Sequence, residues 1–235
     1  MKLAISGTYS SGKTRTVMAL SHLTGIPRSL AQTMREIMPS AVPGKTLAQC
    51  TPAEFIQLMV LRHCGRAVNE AMADTDLISD GSSLQEWLYG AGRIKYGMDP
   101  NQAGHMPEIP RDQLSPEMLF FEDVIECLGH SIRQHVQSTF DGFIHLKNEL
   151  PIHADSHRPM NSSFRDYCDR SMLEILAALN IRHYVIQGSI AERLTQITTC
   201  FDLPQCMSIE DAIAAANHDY AQLDLRLELA RAQRS

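Results

Sequence analysis

The chain has 235 residues, of which 44% are hydrophobic and 20% are charged. This length and composition are typical of one α/β domain with a large core and do not require a second domain. The net charge of −6 argues against a protein whose main role is to bind nucleic acid, because such proteins usually carry a basic face.

The spacing of cysteines and histidines excludes several kinds of site. The six cysteines include no C-x-x-C pair, a pattern typical of reduced thiols in a cytoplasmic protein. The ten histidines form neither an H-E-x-x-H motif nor a Cys/His zinc pattern. No apolar run approaches membrane-spanning length, and a strand that begins at residue 2 would leave no room for a targeting peptide. We therefore predict a cytoplasmic protein without a membrane partner.

Residues 7–14 read G-T-Y-S-S-G-K-T, a complete G-x-x-x-x-G-K-[ST] phosphate-binding loop. The apolar run at residues 2–6 predicts a buried strand before the loop, and residues 14–24 predict a helix after it. The motif needs this order, because backbone N–H groups and a helix N-terminus must surround the phosphates. The segment therefore predicts the binding of a nucleoside triphosphate.

Each position of the loop has an expected role. Glycines at both ends allow the backbone to approach the phosphates closely. We expect Lys13 to contact the β- and γ-phosphates and the Thr14 hydroxyl to ligate Mg²⁺. The residues expected to bind the nucleotide are Gly7, Thr8, Tyr9, Ser10, Ser11, Gly12, Lys13 and Thr14.

Two helices are predicted next. Residues 30–38 form a short helical pattern, and residues 39–44 predict a loop. Thr51 as N-cap, followed by Pro52 and Glu54, predicts a helix that runs to about residue 73. Polar residues of both helices are candidates for an acceptor pocket, although such residues more often lie on a solvated face. These candidates are Arg35, Glu36, Glu54, Gln57 and Glu70.

The run at residues 75–80 predicts a buried parallel strand that ends in Asp80. A carboxylate at this end lies at the same sheet edge as the phosphate loop, where it could hold the Mg²⁺ shell or accept a proton from an attacking hydroxyl. The alternative is that Asp80 caps the next helix, predicted from Ser82-Ser83 to about residue 96. Asp76, at the opposite end of the strand, should take no part.

Aromatic residues follow Asp80 within ten positions. Trp87 and Tyr89 could stack on a planar substrate, or they could pack in the core. Trp87 is retained as a candidate for substrate binding.

Two polar excursions interrupt the second half of the chain, at residues 97–116 and 151–162. Arg158 and Arg165 lie within or just after the second one, before a helix predicted at residues 163–180. A segment that carries arginines over a phosphate loop neutralises the charge on the transferred group and excludes water. Alternatively, these arginines lie in a solvated loop and form weak ion pairs.

The remaining elements complete an alternating pattern. They are helices at 115–138 and 189–200, strands at 140–146 and 182–187, and a long helix at 208–233. The apolar stripe of the last helix either closes the core or pairs with a second copy of the chain. Alternation of strands and helices predicts a parallel sheet covered on both faces, with ligands at the carboxyl ends of the strands.

Four segments together resemble a known family. They are GTYSSGKT at 7–14, LISDGSSLQEWLYG at 77–90, DSHRPMNSSFRDYCD at 155–169 and GSIAERL at 188–194. In order and spacing they resemble P-loop kinase-type ATPase domains, often labelled AAA-like ATPases, whose relatives include the nicotinamide riboside kinase domain and thymidylate-kinase-like enzymes. The likeness spans about residues 1–200. It implies a three-layer P-loop NTPase fold with a five-stranded parallel sheet and a helical lid at 151–162, in a single domain over residues 1–235.

The resemblance also implies roles for individual residues. Mg-ATP would be the phosphoryl donor, and Asp80 would occupy the position of the family's carboxylate. Arg158 and Arg165 match the lid arginines, whereas Gly188 and Ser189 match the loop beside the adenine. Related nucleotide kinases usually have Asp-Arg where this chain has Asp80-Gly81.

These observations predict a kinase that transfers phosphate from Mg-ATP to a hydroxyl of a small molecule, nucleoside-like or another metabolite. The expected catalytic residues are Lys13, Asp80, Arg158 and Arg165, the metal ligands Thr14 and Asp80, and the substrate-binding residues Arg35, Glu36, Gln57 and Trp87. Two alternatives stay open: a stand-alone ATPase or nucleotide-dependent switch, and a kinase that acts on a hydroxylated base in DNA. The acidic charge argues against the second. The sequence has no N-K-x-D tetrapeptide, the motif that recognises guanine. ATP is preferred over GTP on the basis of the family likeness alone.

Overall fold

The computed structural model describes residues 1–8, 11–29, 32–73, 75–99, 107–149 and 162–222. Its strands are Lys2–Ser6 (β1), Leu77–Asp80 (β2), Gly142–Leu146 (β3) and His183–Ile186 (β4). Its α-helices are Lys13–Thr24 (α1), Met34–Ala41 (α2), Pro52–Met72 (α3), Ser83–Tyr96 (α4), Pro116–Thr139 (α5), Ser162–Ala178 (α6), Ile190–Phe201 (α7) and Ile209–Gln222 (α8). Strands and helices alternate as predicted.

The strands form one parallel sheet in the order β2-β1-β3-β4. Ile5 of β1 pairs with Asp80 of β2, and Ser6 pairs with His145 of β3. This register brings the ends of three strands to one edge of the sheet, directly below the loop that follows β1. The edge of the sheet at the carboxyl ends of the strands is called the carboxyl edge below, and the opposite edge the amino edge.

The resemblance implied five strands, and the described part of the chain forms four. On the free side of β2, the described residues form an isolated parallel bridge between Arg28 and Ile78. The Ser29 N–H donates to the Ile78 carbonyl, and the Ile78 N–H donates to the Pro27 carbonyl, both at 2.9 Å. Because Pro27 has no N–H, it cannot donate to β2 on the N-terminal side of this bridge.

Helices cover both faces of the sheet, as the alternating pattern predicted. Leu3 and Ile5 point to a core formed with α1, α7 and α8. Ala4 and Phe143 point to the opposite core, which is formed with α3, α4, α5 and α6. Successive residues of a strand face opposite sides, so the central strand β1 contributes to both cores. The architecture is the three-layer α/β sandwich of P-loop proteins.

The described part of the C-terminal helix closes the core of its own chain. Ala212 and Ala216 of α8 are buried in the core shared with α1 and α7. Ile209 and Ile213 pack against the same core, and the guanidinium of Arg15 lies 4.5 Å from the centre of the Tyr220 ring. Residues 223–233 of the predicted helix lie outside the described residues.

The clearest error in predicted boundaries is at α2. We expected a helix at 30–38 and a loop at 39–44, but α2 runs from Met34 to Ala41. A reciprocal capping box between Thr33 and Glu36 sets its start, and the helix continues past Pro39. The other predicted helix and strand boundaries that fall on described residues differ from the structure by two residues or fewer.

The described part of the 97–116 excursion is anchored to the end of α4. The Ile109 N–H donates to the Lys95 carbonyl at 2.7 Å, and Glu108 forms an ion pair with the Lys95 ammonium at 3.1 Å. Arg111–Gln113 then form a short 3-10 helix. Residues 100–106 of this excursion and residues 151–161 of the predicted lid lie outside the described residues. Of the helices that the structure describes, none has the length and apolarity needed to cross a bilayer.

Candidate functional site

The phosphate-binding loop joins β1 to α1 at the carboxyl edge. Gly7 has φ of 138° and Gly12 has φ of 81°, which are conformations that residues with a Cβ rarely adopt. A Cβ on Gly7 would lie 2.9 Å from the Leu146 carbonyl oxygen, so the loop packs closely on the end of β3. Both glycines are therefore required by the backbone itself, as the motif predicted.

The Lys13 side chain turns back onto the loop. Its Nζ donates to the carbonyl oxygens of Gly7 at 2.6 Å and Thr8 at 3.3 Å. Burial lowers the pKa of the Lys13 ammonium below its ordinary value. That shift is opposed by the nearby carboxylates of Asp80, Glu86 and Asp169. A polyphosphate in the loop would add negative charge and favour the charged form of Lys13.

Asp80 and Thr14 lie in direct contact. The Thr14 Oγ1 donates to the Asp80 Oδ2 at 2.7 Å. The N-cap of α4 is Ser82, so Asp80 is not the capping residue that the alternative interpretation proposed. A hydroxyl and a carboxylate oxygen this close can share one cation, and oxygen ligands are those that Mg²⁺ prefers. Over the ranges that the structure describes, no group of three or more His, Cys, Asp or Glu could hold a metal ion, so phosphate oxygens and water would complete the shell.

Arg66 of α3 places a positive charge beside Asp80. Its Nη2 donates to the Asp80 carbonyl at 2.9 Å. The next residue, Gly81, has φ of 81°, and a Cβ there would lie 3.3 Å from the same Nη2. Where related nucleotide kinases have an arginine after the aspartate, this chain therefore brings a guanidinium from a neighbouring helix.

Glu86 of α4 joins Arg66 and Arg62 in a buried cluster. Its Oε1 lies 2.9 Å from the Arg62 Nη2 and 3.6 Å from the Arg66 Nη2. The side chains are 13%, 9% and 3% exposed for Glu86, Arg62 and Arg66. Burial alone would raise the pKa of Glu86, but the two guanidiniums hold it below its ordinary value. The cluster leaves one net positive charge next to Asp80.

A second polar group lies on the other side of the loop. The Thr8 hydroxyl donates to the Asp169 Oδ2 of α6 at 3.3 Å, and the Asn148 side-chain amide contacts both residues. The His145 Nε2 lies 3.2 Å from the Asp169 Oδ1, and its Nδ1 lies 3.0 Å from the Ser6 Oγ. This group links β1, β3, α6 and the phosphate loop.

The predicted adenine-side loop lies beside the phosphate loop. Ser189 is the N-cap of α7, and the Gly188 N–H donates to the Glu149 carboxylate at 2.7 Å. The Arg193 Nη1 donates to the Ser11 carbonyl at 2.6 Å, and its Nη2 lies 3.4 Å from the same Glu149 carboxylate. Arg193 thus connects the two loops across a short distance.

Two predicted substrate-binding residues do not reach the site. The Trp87 side chain is buried in the core, where its Nε1 donates to the Ile125 carbonyl at 2.6 Å. Gln57 is exposed, and its Nε2 lies 3.5 Å from the Ala41 carbonyl. Gln57 precedes Arg66 by nine positions, which places the two residues on opposite sides of α3. The structure therefore does not bring Trp87 or Gln57 together with the residues around the phosphate loop.

The three glutamates predicted near the acceptor have other roles. Glu36 and Glu54 complete capping boxes at the starts of α2 and α3, so helix termini hold their carboxylates. Glu70 lies at the amino edge of the sheet. Its Oε2 is 2.7 Å from the His135 Nε2, and its carbonyl accepts from the Lys2 ammonium at 2.6 Å. These glutamates do not form the predicted acceptor pocket.

The remaining predicted residues are described only in part. Arg165 lies on α6 with its side chain buried, one turn before Asp169. Arg35 belongs to α2, and its side chain is outside the described part of the structure, as are Tyr9, Ser10 and Arg158.

Sequence analysis missed the buried arginines and the group around Asp169. Arg62 and Arg66 continue the spacing of the buried Phe55 and Met59 along α3. A charged residue on a buried helix face needs a partner, so this spacing indicates that Arg62 and Arg66 are buried and paired. Asp169 had no such signal, because its contacts join segments far apart in the sequence.

The fold and the loop together define a P-loop kinase-type ATPase domain. The family described as "AAA domain" matches residues 2–193, and the chain belongs to this family.

Solved structures show the same fold. One is the deoxyadenosine kinase from M. mycoides with the products dCMP and a flexible dCDP bound, which has 11% sequence identity and a TM-score of 0.57. The other is the same enzyme with dCTP bound, with 13% identity and a TM-score of 0.55. Each alignment covers 86% of this chain and 99% of the other chain. At these identities the likeness concerns the fold. No curated protein matches the sequence.

Proposed function

We propose that this protein is a kinase that transfers the γ-phosphoryl group of Mg-ATP to a hydroxyl of a nucleoside-like small molecule. The hydrogen bond of 2.7 Å between Thr14 and Asp80, next to Lys13, carries the proposal. This contact supports the proposal that Asp80 lies across from the terminal phosphate that the loop would hold. The fold likeness to a deoxyadenosine kinase supports a nucleoside-like acceptor.

Thr14 and Asp80 are the residues that would hold Mg²⁺, which supplies neutralisation of the charge on the β- and γ-phosphates when bound. Lys13 would exchange its contacts with the Gly7 and Thr8 carbonyls for phosphate oxygens. Its charge would then stabilise the negative charge that develops during transfer.

Asp80 has a second proposed role toward the acceptor. Its carboxylate would orient the attacking hydroxyl and accept its proton, while the oxygen forms a bond to the γ-phosphorus and ADP leaves. The bond from Arg66 to the Asp80 carbonyl fixes the backbone that carries this carboxylate. The buried cluster adds the guanidinium donors of Arg62 and Arg66 and the Glu86 carboxylate, a hydrogen-bond acceptor, beside Asp80.

The lid and the adenine-side loop complete the proposal. Arg158 and Arg165 would contact the γ-phosphate and exclude water. Gly188 and Ser189 would lie beside the adenine ring, next to the phosphate loop to which Arg193 connects them.

All six cysteines fall within the described residues and are free thiols, which supports a cytoplasmic location.

The proposal is tested by incubating the purified protein with Mg-ATP and a panel of ribonucleosides, deoxynucleosides and hydroxylated metabolites. We expect one class of acceptor to be phosphorylated, with ADP formed in equal amount, and activity to be lost when Mg²⁺ is chelated. Mass spectrometry identifies the product, and the Lys13→Ala variant serves as the inactive control. Acceptor-independent hydrolysis of ATP as the only activity would contradict the proposal.

A further inference from the structure

Helix α6 follows the lid segment in the chain and makes contacts along two rows of side chains. One row packs into the core beside α4, with Phe164, Cys168 and Met172 buried. The adjacent row contains Arg165 and Asp169, which are four residues apart and therefore lie on the same side of the helix. The Asp169 carboxylate is in contact with the phosphate loop. The buried side chain of Arg165 thus lies on the side of α6 that faces this loop.

Asp169 is held by groups from three other residues. Its Oδ2 accepts from the Thr8 hydroxyl at 3.3 Å and from the Asn148 side-chain amide. Its Oδ1 lies 3.2 Å from the Nε2 of His145, a residue that is 3% exposed. Hydrogen bonds in such a poorly hydrated network restrict each other's geometry. The network therefore sets how closely α6 approaches the loop and how it is rotated.

We propose that Asp169 is a positioning residue that holds α6 against the phosphate loop so that Arg165 reaches the γ-phosphate of bound ATP. This inference rests on the proposed function, in which Arg165 contacts that phosphate. One helical turn separates the two residues, about 6 Å along the axis, so an anchor at Asp169 determines where the Arg165 side chain begins. A displacement of about 1 Å is sufficient to weaken a directional contact of this kind.

The same carboxylate is also close to Lys13, whose positive charge it favours. Asp169 could therefore act through this charge instead of through Arg165. Two variants separate these effects. Asp169→Ala removes the anchor and the charge, whereas Asp169→Asn removes the charge and keeps an oxygen that accepts from Thr8 and Asn148.

The readout is the dissociation constant for the non-hydrolysable ATP analogue AMP-PNP compared with that for ADP, measured by calorimetry with Mg²⁺. Only AMP-PNP carries a γ-phosphate, so loss of the Arg165 contact weakens the binding of AMP-PNP and not the binding of ADP. We expect Arg165→Ala and Asp169→Ala each to weaken AMP-PNP binding about tenfold, the size of one charge-assisted hydrogen bond, with ADP binding changed less than about twofold. The double variant should be no weaker than Arg165→Ala alone, because both changes remove the same contact.

Controls keep the test decisive. Asp166→Ala removes an exposed aspartate from the same helix and should change neither constant. Asp169→Asn should bind both nucleotides almost as the unchanged protein does. If Asp169→Ala fails to fold, Asn148→Ala loosens the same anchor from outside α6 and should give the same selective loss.

Three results would overturn the inference: equal weakening of AMP-PNP and ADP by Asp169→Ala, additive losses in the double variant, or a loss in Asp169→Asn as large as in Asp169→Ala. These binding measurements need no acceptor. A protein that binds AMP-PNP in this manner but phosphorylates nothing would refute the kinase proposal and still support the role of Asp169.

Discussion

Charged side chains gather at both edges of the sheet, and the two groups are built differently. At the amino edge, Asp76 pairs with the amino group of Met1, and the Asp141 carboxylate accepts from the Lys2 N–H at 2.7 Å. Glu70 and His135 line an open depression of about 580 Å³ there. Each of these carboxylates contacts an amino group, a main-chain N–H or a histidine ring.

At the carboxyl edge, the charged residues surround a loop whose backbone depends on glycine. The Lys13 ammonium donates to loop carbonyls, which a phosphate can replace. The Asp80 carboxylate accepts from the Thr14 hydroxyl, and the Asp80 carbonyl accepts from the Arg66 guanidinium. A cluster of charges by itself therefore does not define a site. The glycine-dependent backbone and the exchangeable contacts distinguish the carboxyl edge from the amino edge.

Replacing one lysine at each edge by alanine should give the largest difference in activity between the two edges. Lys13→Ala should lower phosphoryl transfer by about 10³-fold, because it removes a charge on the transferred phosphate, and should leave the fold intact. Lys2→Ala, at the amino edge, should retain full activity. Steady-state kinetics with the identified acceptor and circular dichroism of both variants check this prediction, and equal loss of activity in the two variants would contradict it.

Asp80 at the end of strand β2 and Asp76 just before its start provide the next comparison. Asp80→Asn should lower kcat by about 100-fold and raise the Mg²⁺ concentration needed for half-maximal activity, because a metal-shell carboxylate and proton acceptor is lost. Asp76→Asn, four residues earlier, should change neither quantity. Titrations with Mg²⁺ measure both, and an unchanged Mg²⁺ requirement in Asp80→Asn would argue that Asp80 acts on the acceptor alone.

Glu86 should matter for stability because it separates two buried guanidiniums. Glu86→Gln should lower the free energy of unfolding by about 3 kcal/mol, the typical cost of leaving buried charges without their partner. The folded-state pKa of Glu86 is depressed, so its contribution is present above the ordinary pKa of 4.5 and is lost as the pH falls below that value. Denaturant unfolding between pH 3 and 7 should therefore show the difference between the two proteins shrinking at the acidic end. A difference that stays constant over this range would contradict the depressed pKa.

Glu70 at the amino edge should give the smallest effect. Glu70→Gln keeps an oxygen for His135 but places an amide N–H₂ group in a buried position, at a cost of about 1 to 2 kcal/mol in unfolding free energy. Phosphoryl transfer should not change, and a loss of activity would show that the two edges are coupled.

The sequence predicted those parts of the site that depend on contiguous residues. The phosphate loop, Lys13 and Thr14 form a local motif, and Asp80 follows from the rule that parallel strands end at the same edge. The layered fold follows from alternation of strands and helices. The fifth strand was expected from the resemblance alone, and the described residues form four strands and an isolated bridge at Arg28.

Other residues of the site depend on contacts between distant segments. Arg66 and Asp169 come from α3 and α6, and no local pattern places them beside the loop. Trp87 lies in the core, and a lone aromatic side chain in a helix is suited to core packing as well as to stacking on a substrate. Gln57 is exposed on α3, and a polar residue on a helix does not by itself show which neighbour its side of the helix faces.

The most direct test of the kinase proposal is a crystal structure with AMP-PNP and Mg²⁺. We expect the triphosphate to lie in the 7–14 loop, with the metal about 2.1 Å from the Thr14 hydroxyl oxygen and with the Asp80 carboxylate bound to it directly or through one water. A triphosphate bound elsewhere, or an Asp80 side chain turned away from both the metal and the γ-phosphate, would contradict the account.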